Sequence, residues 1–246
     1  MIARPLAAAD LLWAWENGAY RHPVDRALLM LSAACPERTA SDLASLTIGQ
    51  RDGLLFQART QTLGDRLDSR AQCPACATEL QFSLAVSDLL DSSQPYDERT
   101  QFEIDIRGYS LRLKCPDSRD LAAAARAGSP EAAQCLLLAR CVLDATRAGR
   151  PVAADDLPAH VKEAVAEQIA ERDPQADIQI DLVCPDCGHR WPLAFDIGAY
   201  FWGEITHRAP QVLHEVHTLA RAYGWAESEI LAMSPARRGA YLALAG

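Results

Sequence analysis

Two Cys-Pro-x-Cys motifs, CPAC at 73–76 and CPDC at 184–187, restrict the folds open to this chain more than any other feature. Apolar and polar residues alternate on both sides of each motif, which is the pattern of β-strands that enter and leave a turn. Each motif is therefore predicted to lie at the tip of a β-hairpin. A cysteine pair held in this way forms a knuckle, which points two sulfur atoms toward the same metal ion.

The segments that contain the two motifs align with each other without a gap. CPACATELQFSLAV at 73–86 matches CPDCGHRWPLAFDI at 184–197, an offset of 111 residues, and a helix is predicted before each pair of strands. This indicates an internal duplication whose period is far longer than that of a solenoid repeat. Gly188 suits the left-handed residue that a knuckle turn often needs, whereas Ala77 at the equivalent position suits it less well.

Neither motif can complete a structural Zn²⁺ site by itself, because the ion takes four ligands in a tetrahedron. Two facing knuckles would supply four sulfur ligands, and we predict one shared structural Zn²⁺ site. Its ligands are Cys73, Cys76, Cys184 and Cys187. Two separate sites, with His189 as an added ligand of the second, and a pair of hairpins without metal remain alternatives. A redox motif is disfavoured, because a redox Cys-x-x-Cys normally opens a helix and a strand follows here.

Composition and charge exclude several classes of protein. With 246 residues, 49% of them hydrophobic, the chain can bury a core without disulfides. Its eight cysteines and an N-terminal sequence without an export signal favour reduced thiols, and we expect a cytoplasmic protein. No apolar run approaches the ~20 residues of a membrane-spanning helix. The net charge of −9 disfavours a surface that coats nucleic acid.

The periodicity of the whole chain predicts an α+β fold that is mainly helical, with short antiparallel β-hairpins, two of which are the zinc-ribbon-like knuckles of the duplication. Three segments are expected to form one compact unit that the metal clamps. Residues 1–91 hold N-terminal helices and the first CPxC hairpin, residues 92–158 hold a linker, a β-hairpin and helices, and residues 159–246 hold a helix, the second CPxC hairpin and C-terminal helices. One helix of the middle segment is predicted from Pro130 to Thr146.

Cap and turn residues predict several boundaries. Thr47 and Gln50 form a capping-box pattern that opens a helix, and Gly64 is expected to end it. The polar residues 92–99 are predicted to form the linker of the middle segment, and Arg107 with Gly108 the turn of its hairpin. A helix near the C-terminus is expected to end at Gly224, with short helices around 226–233 and 235–244.

The sequence shows no catalytic constellation, and we expect a protein that is not an enzyme. It has no glycine-rich phosphate loop and no nucleophile elbow, and a closed four-sulfur shell would not activate water. The HEVH string at 214–217 places its histidines three residues apart, one short of the spacing in zinc proteases, which favours a solvated helix face. Three cysteines outside the two motifs are predicted to lie in helices and to be buried as small hydrophobic residues: Cys35, Cys135 and Cys141.

Several strings, in their order along the chain, resemble one known family. They are HPVDRALLML at 22–31, the first CPACATELQFSL hairpin, LRLKCPDSRDLAAAARAG at 111–128, IQIDLVCPDCGHRWPLAFDIGAYFWGEI at 178–205 and LHEVHTLARAYGWAESEILAMSPARRGAYLALAG at 213–246. The chain thereby resembles the T-even-type phage baseplate hub assembly chaperones, which occur in contractile phage tails and in phage-tail-like injection systems. The resemblance covers nearly the whole chain.

The resemblance implies a non-enzymatic factor in building a contractile tail baseplate, either an assembly chaperone or a minor structural component of the particle. It implies baseplate, hub or spike proteins as partners. The acidic charge and the lack of a long apolar run lead us to expect neither nucleic acid nor a membrane as a partner. Aromatic residues after the second knuckle form a candidate docking patch, or they seal the knuckle against the C-terminal helices: Trp191, Tyr200, Phe201 and Trp202. The alternative class is a zinc-ribbon nucleic-acid-binding or transcription-associated protein, which the acidic charge disfavours.

Overall fold

The computed structural model of the protein describes residues 2–90 and 101–245. It confirms the predicted α+β class, with helices predominating and antiparallel hairpins between them. The α-helices are α1 Ala8–Gly18, α2 Pro23–Ala34, α3 Ala40–Ala44, α4 Ile48–Leu63, α5 Val86–Leu89, α6 Ser118–Ala124, α7 Pro130–Cys141, α8 Ala159–Arg172, α9 Ile197–Tyr223, α10 Glu227–Leu231 and α11 Pro235–Ala245. The strands are β1 Arg66–Gln72, β2 Glu79–Ala85, β3 Gln101–Ile106, β4 Tyr109–Lys114, β5 Val142–Arg147, β6 Arg150–Pro151, β7 Ile178–Val183 and β8 Arg190–Phe195.

The strands form three antiparallel sheets in the described part of the chain. β1 pairs with β2 and β7 pairs with β8 as separate hairpins, while the third sheet has the order β3-β4-β5-β6. The predicted hairpin at Arg107 and Gly108 is confirmed. These two residues have φ angles of 49° and 83°, and a two-residue type I′ turn needs positive φ at both positions.

The start and the end of helix α4 follow from its sequence. The Gln50 N–H donates to Thr47 Oγ1 (3.2 Å) and the Thr47 N–H donates to Gln50 Oε1 (3.0 Å), which is the predicted capping box. At the other end Gly64 has a φ of 95°, which stops the helix because residues with a Cβ rarely take that conformation. Both predicted boundaries are confirmed.

The chain divides into two compact units. Unit 1 comprises residues 2–38, 54–65 and 196–245, and unit 2 comprises residues 39–53, 66–90 and 101–195. All four cysteines of the predicted metal site lie in unit 2. The division into three segments stays a prediction. Its first boundary, at 91/92, and the predicted linker from 92 to 99 lie outside the described residues.

Unit 1 is helical, and its core forms around helix α9. Helices α1, α2, α10 and α11 pack against α9. The buried side chains of this 27-residue helix recur on one face and are Ile197, Phe201, Ile205, Ala209, Val212, Val216 and Leu219. Gly224, with a φ of 71°, ends the helix as predicted. The short helices predicted after it are present as α10 and α11.

The core of unit 2 lies between one face of the four-stranded sheet and helix α8. The strands contribute Phe102, Tyr109, Leu111, Leu113 and Ala145, and the helix contributes Val161 and Val165. Strand residues that alternate with these, such as Glu103 and Arg112, point away from the core and are exposed. The sheet therefore has one apolar face against α8 and one polar face.

The helix predicted from Pro130 to Thr146 is wrong in its last third. Helix α7 ends at Cys141, and the chain continues as strand β5, which pairs antiparallel with β4. Apolar spacing alone does not distinguish the end of a helix from a short strand. The partner strand decides, because its backbone supplies hydrogen bonds to β5 and the pairing buries Ala145 at 3% exposure.

Candidate metal centre

The two Cys-Pro-x-Cys motifs occupy the tips of two equivalent hairpins. Gln72 pairs with Glu79 at the end of β1 and β2, and Val183 pairs with Arg190 at the end of β7 and β8. Each residue of the first hairpin has its counterpart 111 residues later, which is the offset in the sequence alignment. The helices before and after them keep this offset too, since α4 and α8 begin at 48 and 159, and α5 and α9 begin at 86 and 197.

Both knuckle turns are closed by the same two backbone hydrogen bonds. The Cys73 N–H donates to the Thr78 carbonyl (2.9 Å), and the Ala77 N–H donates to the Cys73 carbonyl (2.9 Å). The equivalent bonds of the second turn run from Cys184 to His189 (2.9 Å) and from Gly188 to Cys184 (3.0 Å). The turn is a property of the backbone, so Ala77 adopts the left-handed conformation, with φ of 60°, where Gly188 has 71°.

The two hairpins are 111 residues apart in the sequence, and they bring the four cysteine sulfur atoms together in unit 2. All four Sγ atoms of Cys73, Cys76, Cys184 and Cys187 lie within 4.8 Å of one another. The Sγ atoms of Cys73 and Cys187 are 3.7 Å apart, and those of Cys76 and Cys184 are 3.5 Å apart. These separations far exceed the roughly 2.05 Å of a disulfide bond, so the thiols are free.

The sulfur separations fit a metal ion with four thiolate ligands. A tetrahedron of sulfur atoms at ~2.3 Å from a central ion has edges of about 3.8 Å, close to the two measured distances. Within the described residues, this is the one group of three or more His, Cys, Asp or Glu side chains that could hold a metal ion. The two hairpins therefore form one shared four-cysteine cluster.

A side-chain hydrogen bond between Thr78 and Asp186 also joins the two knuckles. The Thr78 hydroxyl donates to Asp186 Oδ2 (2.8 Å), and the Cys76 thiol donates to Thr78 Oγ1 (3.3 Å). Cys73 and Cys184 are 1% exposed, whereas Cys76 and Cys187 are exposed. Each knuckle thus contributes one sulfur from the interior and one from the surface.

Contacts within the cluster give the Cys76 and Cys187 thiols different pKa values. Hydrogen bonds with the side chain and backbone of Thr78 lower the pKa of Cys76 to about 6. A backbone hydrogen bond at His189 lowers the pKa of Cys187, but contacts with the other three cysteines outweigh it and raise the pKa to about 12. A cluster of thiols in contact can therefore release a proton near neutral pH, as metal binding requires.

The cysteines outside the cluster differ from one another in burial. Cys35 and Cys141 are buried as predicted, and burial raises the pKa of Cys35 and, to about 12, that of Cys141. The prediction is wrong for Cys135, which lies on the exposed side of helix α7. This helix packs only a small part of its surface, so its apolar residues do not all reach a core.

The HEVH string has the solvated position that was predicted for it. His214 and His217 are both exposed on α9. Between them, Glu215 Oε1 accepts from Arg208 (2.6 Å) and Glu215 Oε2 accepts from Arg238 (2.9 Å). The carboxylate of the string is therefore occupied by two arginines.

Three of the four aromatic residues of the predicted docking patch belong to unit 1. Phe201 is fully buried in the core of that unit, so its prediction as a docking residue is wrong: α9 turns it toward the apolar face of the helix. Tyr200 is half-buried, and the Arg59 guanidinium lies 5.7 Å from the centre of its ring.

Trp202 and Trp191 are half-buried and make contacts within their own units. Trp202 lies against Gly18 so closely that an added Cβ would be 2.4 Å from its Cη2 atom, and Arg26 lies 4.8 Å from the ring centre. Trp191 in unit 2 stacks with His189 at 5.9 Å. A docking role for Tyr200, Trp191 and Trp202 stays a prediction.

A comparison with known protein families supports the resemblance that the order of the motifs indicated. A family model of the T4 bacteriophage base plate protein matches residues 21–202, which is 182 of the 246 residues and includes both knuckles. No curated protein and no solved structure matches the chain. Among the described residues, no helix has the length and apolarity to cross a membrane. Because the match covers about three-quarters of its length, the chain belongs to the T4 bacteriophage base plate protein family.

Proposed function

We propose that the chain is a non-enzymatic component of a contractile-tail baseplate, either an assembly chaperone or a minor structural part of the particle. The family match over residues 21–202 carries this proposal. Baseplate, hub or spike proteins are the expected partners, and the contractile system is that of a phage tail or a phage-tail-like injection machine. The protein acts by presenting binding surfaces, which its fold must hold in place.

We propose that the four-cysteine cluster holds one structural Zn²⁺. Four thiolates at tetrahedral spacing favour zinc over the hard cations Mg²⁺ and Ca²⁺, which prefer oxygen ligands. Isolated two-stranded hairpins are at best marginally stable in water. An ion bound between the two hairpins would add binding free energy to the folding of unit 2, because the unfolded chain has no preformed site.

A closed shell of four sulfur ligands favours a structural role over catalysis. Catalytic zinc keeps one coordination position for water or substrate, and the protein fills only three. Cys73, Cys76, Cys184 and Cys187 would occupy all four positions of the tetrahedron. The ion would therefore have no bound water to activate, in keeping with a protein that is not an enzyme.

Native mass spectrometry and elemental analysis test the metal proposal. We expect one Zn²⁺ per chain, and we expect Cys73→Ser and Cys187→Ser each to lose the whole ion because both hairpins share it. Cys135→Ser is the matched control, since this thiol is exposed and outside the cluster. Retention of an ion in either knuckle mutant would support two separate sites, and a metal other than zinc would overturn its identity.

Deletion of the gene tests the baseplate role. We expect particles that lack an intact baseplate, or no contractile particles, when lysates are viewed by electron microscopy. The wild-type gene should restore assembly, and the Cys135→Ser gene should restore it equally well. Normal baseplates and normal contraction in the deletion strain would contradict the proposal.

A further inference from the structure

The outer edge of strand β3 has no partner strand among the described residues. β3 comes first in the sheet order β3-β4-β5-β6 and pairs with β4 alone. In a hairpin with a two-residue turn, the residues that flank the turn form a hydrogen-bonded pair, and such pairs alternate along the strands. Ile106 and Tyr109 flank this turn. The backbone N–H and C=O groups of Glu103 and Asp105 therefore point away from β4, toward the open edge.

A groove runs between this edge and helix α8, and we call it the β3–α8 groove. Its walls consist of Ile104, Asp105 and Ile106 from the strand and of Ala164, Glu167 and Gln168 from the helix. Three of these lining residues are apolar and half-buried: Ile104, Ile106 and Ala164. The groove thus combines a free strand edge with apolar side chains beside it.

Two acidic residues line the β3–α8 groove, Asp105 on the strand and Glu167 on the helix. Glu163, Glu167 and Glu171 recur every four residues along α8, and all three are exposed. Like charges at this spacing repel each other on a helix. Among the described residues, Glu163 and Glu167 have no Lys or Arg partner within ion-pair distance, and neither has Glu103 on the strand.

The acidity extends over unit 2 as a whole. Its described residues contain 20 Asp and Glu against 14 Lys and Arg, a formal charge of −6, whereas those of unit 1 contain 10 against 9. A field of this sign steers cationic partners toward the surface and repels anionic ones. The groove is therefore electrostatically complementary to a basic chain.

We propose that the β3–α8 groove binds an extended, basic segment of a partner protein, which adds to the sheet as a strand beside β3. Strand addition satisfies the free backbone groups of Glu103 and Asp105, and successive side chains of the added strand point to opposite faces. Apolar side chains at alternate positions pack on Ile104 and Ile106 beside α8. Lys or Arg side chains at the positions between them point to the polar face of the sheet, where the Glu103 and Asp105 side chains are exposed. The proposal goes beyond the baseplate role, and it depends neither on that role nor on the metal.

Binding of a model peptide to the full-length protein tests the charge of the occupant. The probe is a fluorescent heptapeptide of alternating lysine and valine, measured by fluorescence anisotropy at low and high salt. We expect saturable binding that weakens as salt rises, and no binding of the same peptide with glutamate in place of lysine. Glu103→Gln with Asp105→Asn should weaken binding by about tenfold, through the loss of the two charges that face the lysines.

A matched pair of charge changes outside the groove serves as the control. Glu131→Gln with Asp181→Asn removes the same charge from exposed positions of unit 2 and should leave the affinity unchanged. An equal loss of affinity in the control and groove variants would assign binding to the net charge of the unit and overturn the proposal. Absence of saturable binding to the wild-type protein would also overturn it.

The geometry of strand addition has its own test. Glu103→Pro removes a backbone donor that faces the open edge and leaves the bonds to β4 intact, as proline allows on edge strands. We expect this variant to lose peptide binding while circular dichroism and the thermal midpoint stay near those of the wild type. Hydrogen exchange gives a second readout that needs no variant: the amides of Glu103 and Asp105 should become protected when the peptide binds.

Two further outcomes would overturn the proposal. Unchanged exchange at these two amides in the presence of saturating peptide would place the peptide elsewhere. A dimer of the wild-type chain that dissociates in Glu103→Pro would show that a second copy of the chain occupies the edge. Sedimentation analysis of both proteins distinguishes that occupant from a basic partner segment.

Discussion

Ala77 and Gly188 occupy the same position in the two knuckles, and both have a left-handed backbone, with φ angles of 60° and 71°. In this conformation a Cβ atom crowds the following carbonyl oxygen, which costs about 1–2 kcal/mol, and glycine avoids that cost. The two copies of the duplicated hairpin therefore form the same turn with different residues. The first copy carries backbone strain that the second copy lacks.

Exchanging these residues should change stability in opposite directions. We expect Gly188→Ala to lower the free energy of unfolding by about 1 kcal/mol, because it introduces the crowded Cβ. Ala77→Gly should raise it by up to about 1 kcal/mol, since the relief of strain exceeds the added entropy of the unfolded chain. Urea denaturation at one fixed concentration of added Zn²⁺ measures both. Equal effects of the two changes would show that strain does not distinguish the copies.

Gly49 in helix α4 has no room for a side chain. Its N–H donates to Asp173 Oδ2 (3.0 Å), and an added Cβ would lie 2.1 Å from Asp173 Oδ1. Gly49→Ala should therefore lower the free energy of unfolding by about 1–3 kcal/mol, as overpacking of an interior does. Gly53→Ala is the control one turn later, where an added Cβ meets only the flexible end of Gln175 at 2.9 Å.

Equilibrium denaturation should separate these two glycines clearly. Gly53→Ala should be neutral or stabilising, because alanine favours a helix interior over glycine by up to about 1 kcal/mol. A loss of stability in Gly53→Ala equal to that in Gly49→Ala would contradict the role of the contact with Asp173.

Ionisation of Asp120 makes the free energy of unfolding depend on pH. Burial alone would raise the pKa of this carboxyl, but hydrogen bonds from Lys114, from the Asp117 N–H and from Arg140 outweigh burial and lower the pKa below its ordinary value of 3.8. Because the folded-state pKa is depressed, the ionised group stabilises the fold above pH 3.8, and this stabilisation is lost as the pH falls through the folded pKa.

The change Asp120→Asn should remove this dependence. At pH 7 we expect it to lower the free energy of unfolding by about 2 kcal/mol, because it weakens charge-assisted hydrogen bonds. The difference from the wild type should shrink as the pH is lowered below 3.8. Asp144→Asn, an exposed residue of the same unit, is the control, and comparison at each pH cancels any loss of metal. A constant difference at all pH values would refute the linkage.

Asp173 should show the opposite pH dependence. Burial raises the pKa of its carboxyl, and hydrogen bonds from Gly49 and Thr47 offset this only in part. Since the folded state keeps the proton to higher pH than the unfolded chain, the wild type loses stability as the pH rises from 3.8 through the folded pKa. Asp173→Asn keeps an acceptor for the Gly49 N–H and does not titrate. Its stability relative to the wild type should therefore rise with pH, which thermal melts from pH 3.5 to 7 will measure.

Local patterns account for the parts of the fold that were predicted correctly. Three kinds of local pattern set these parts of the fold, and each depends only on residues close to it in the sequence. They are the alternation around both CPxC motifs, the capping residues Thr47 and Gln50, and the glycines at 64 and 224. The duplication at an offset of 111 residues also led to the pairing of the two cysteine motifs, and the sulfur distances agree with a shared cluster. Each of these features leaves a signal in the sequence because its physical cause is local or repeated.

Contacts between distant segments account for what was missed. The strand Val142–Arg147 forms because β4 lies beside it, and the same residues read as the end of a helix when that partner is ignored. Cys135 and Phe201 both lie on helices, yet Cys135 is exposed and Phe201 is fully buried. Their own sequences do not show which face of each helix meets a core.

By itself, the sequence determined that two cysteine knuckles exist, where they lie and that their ligands suit one tetrahedral ion. Only the tertiary structure decided that both knuckles belong to one compact unit and that two pairs of their sulfur atoms lie 3.7 and 3.5 Å apart. It also decided that, within residues 2–90 and 101–245, β3 pairs with β4 alone. Turn and strand patterns depend on neighbouring residues, whereas the positions of sulfur atoms, sheet edges and helix faces depend on which distant surfaces bury each other.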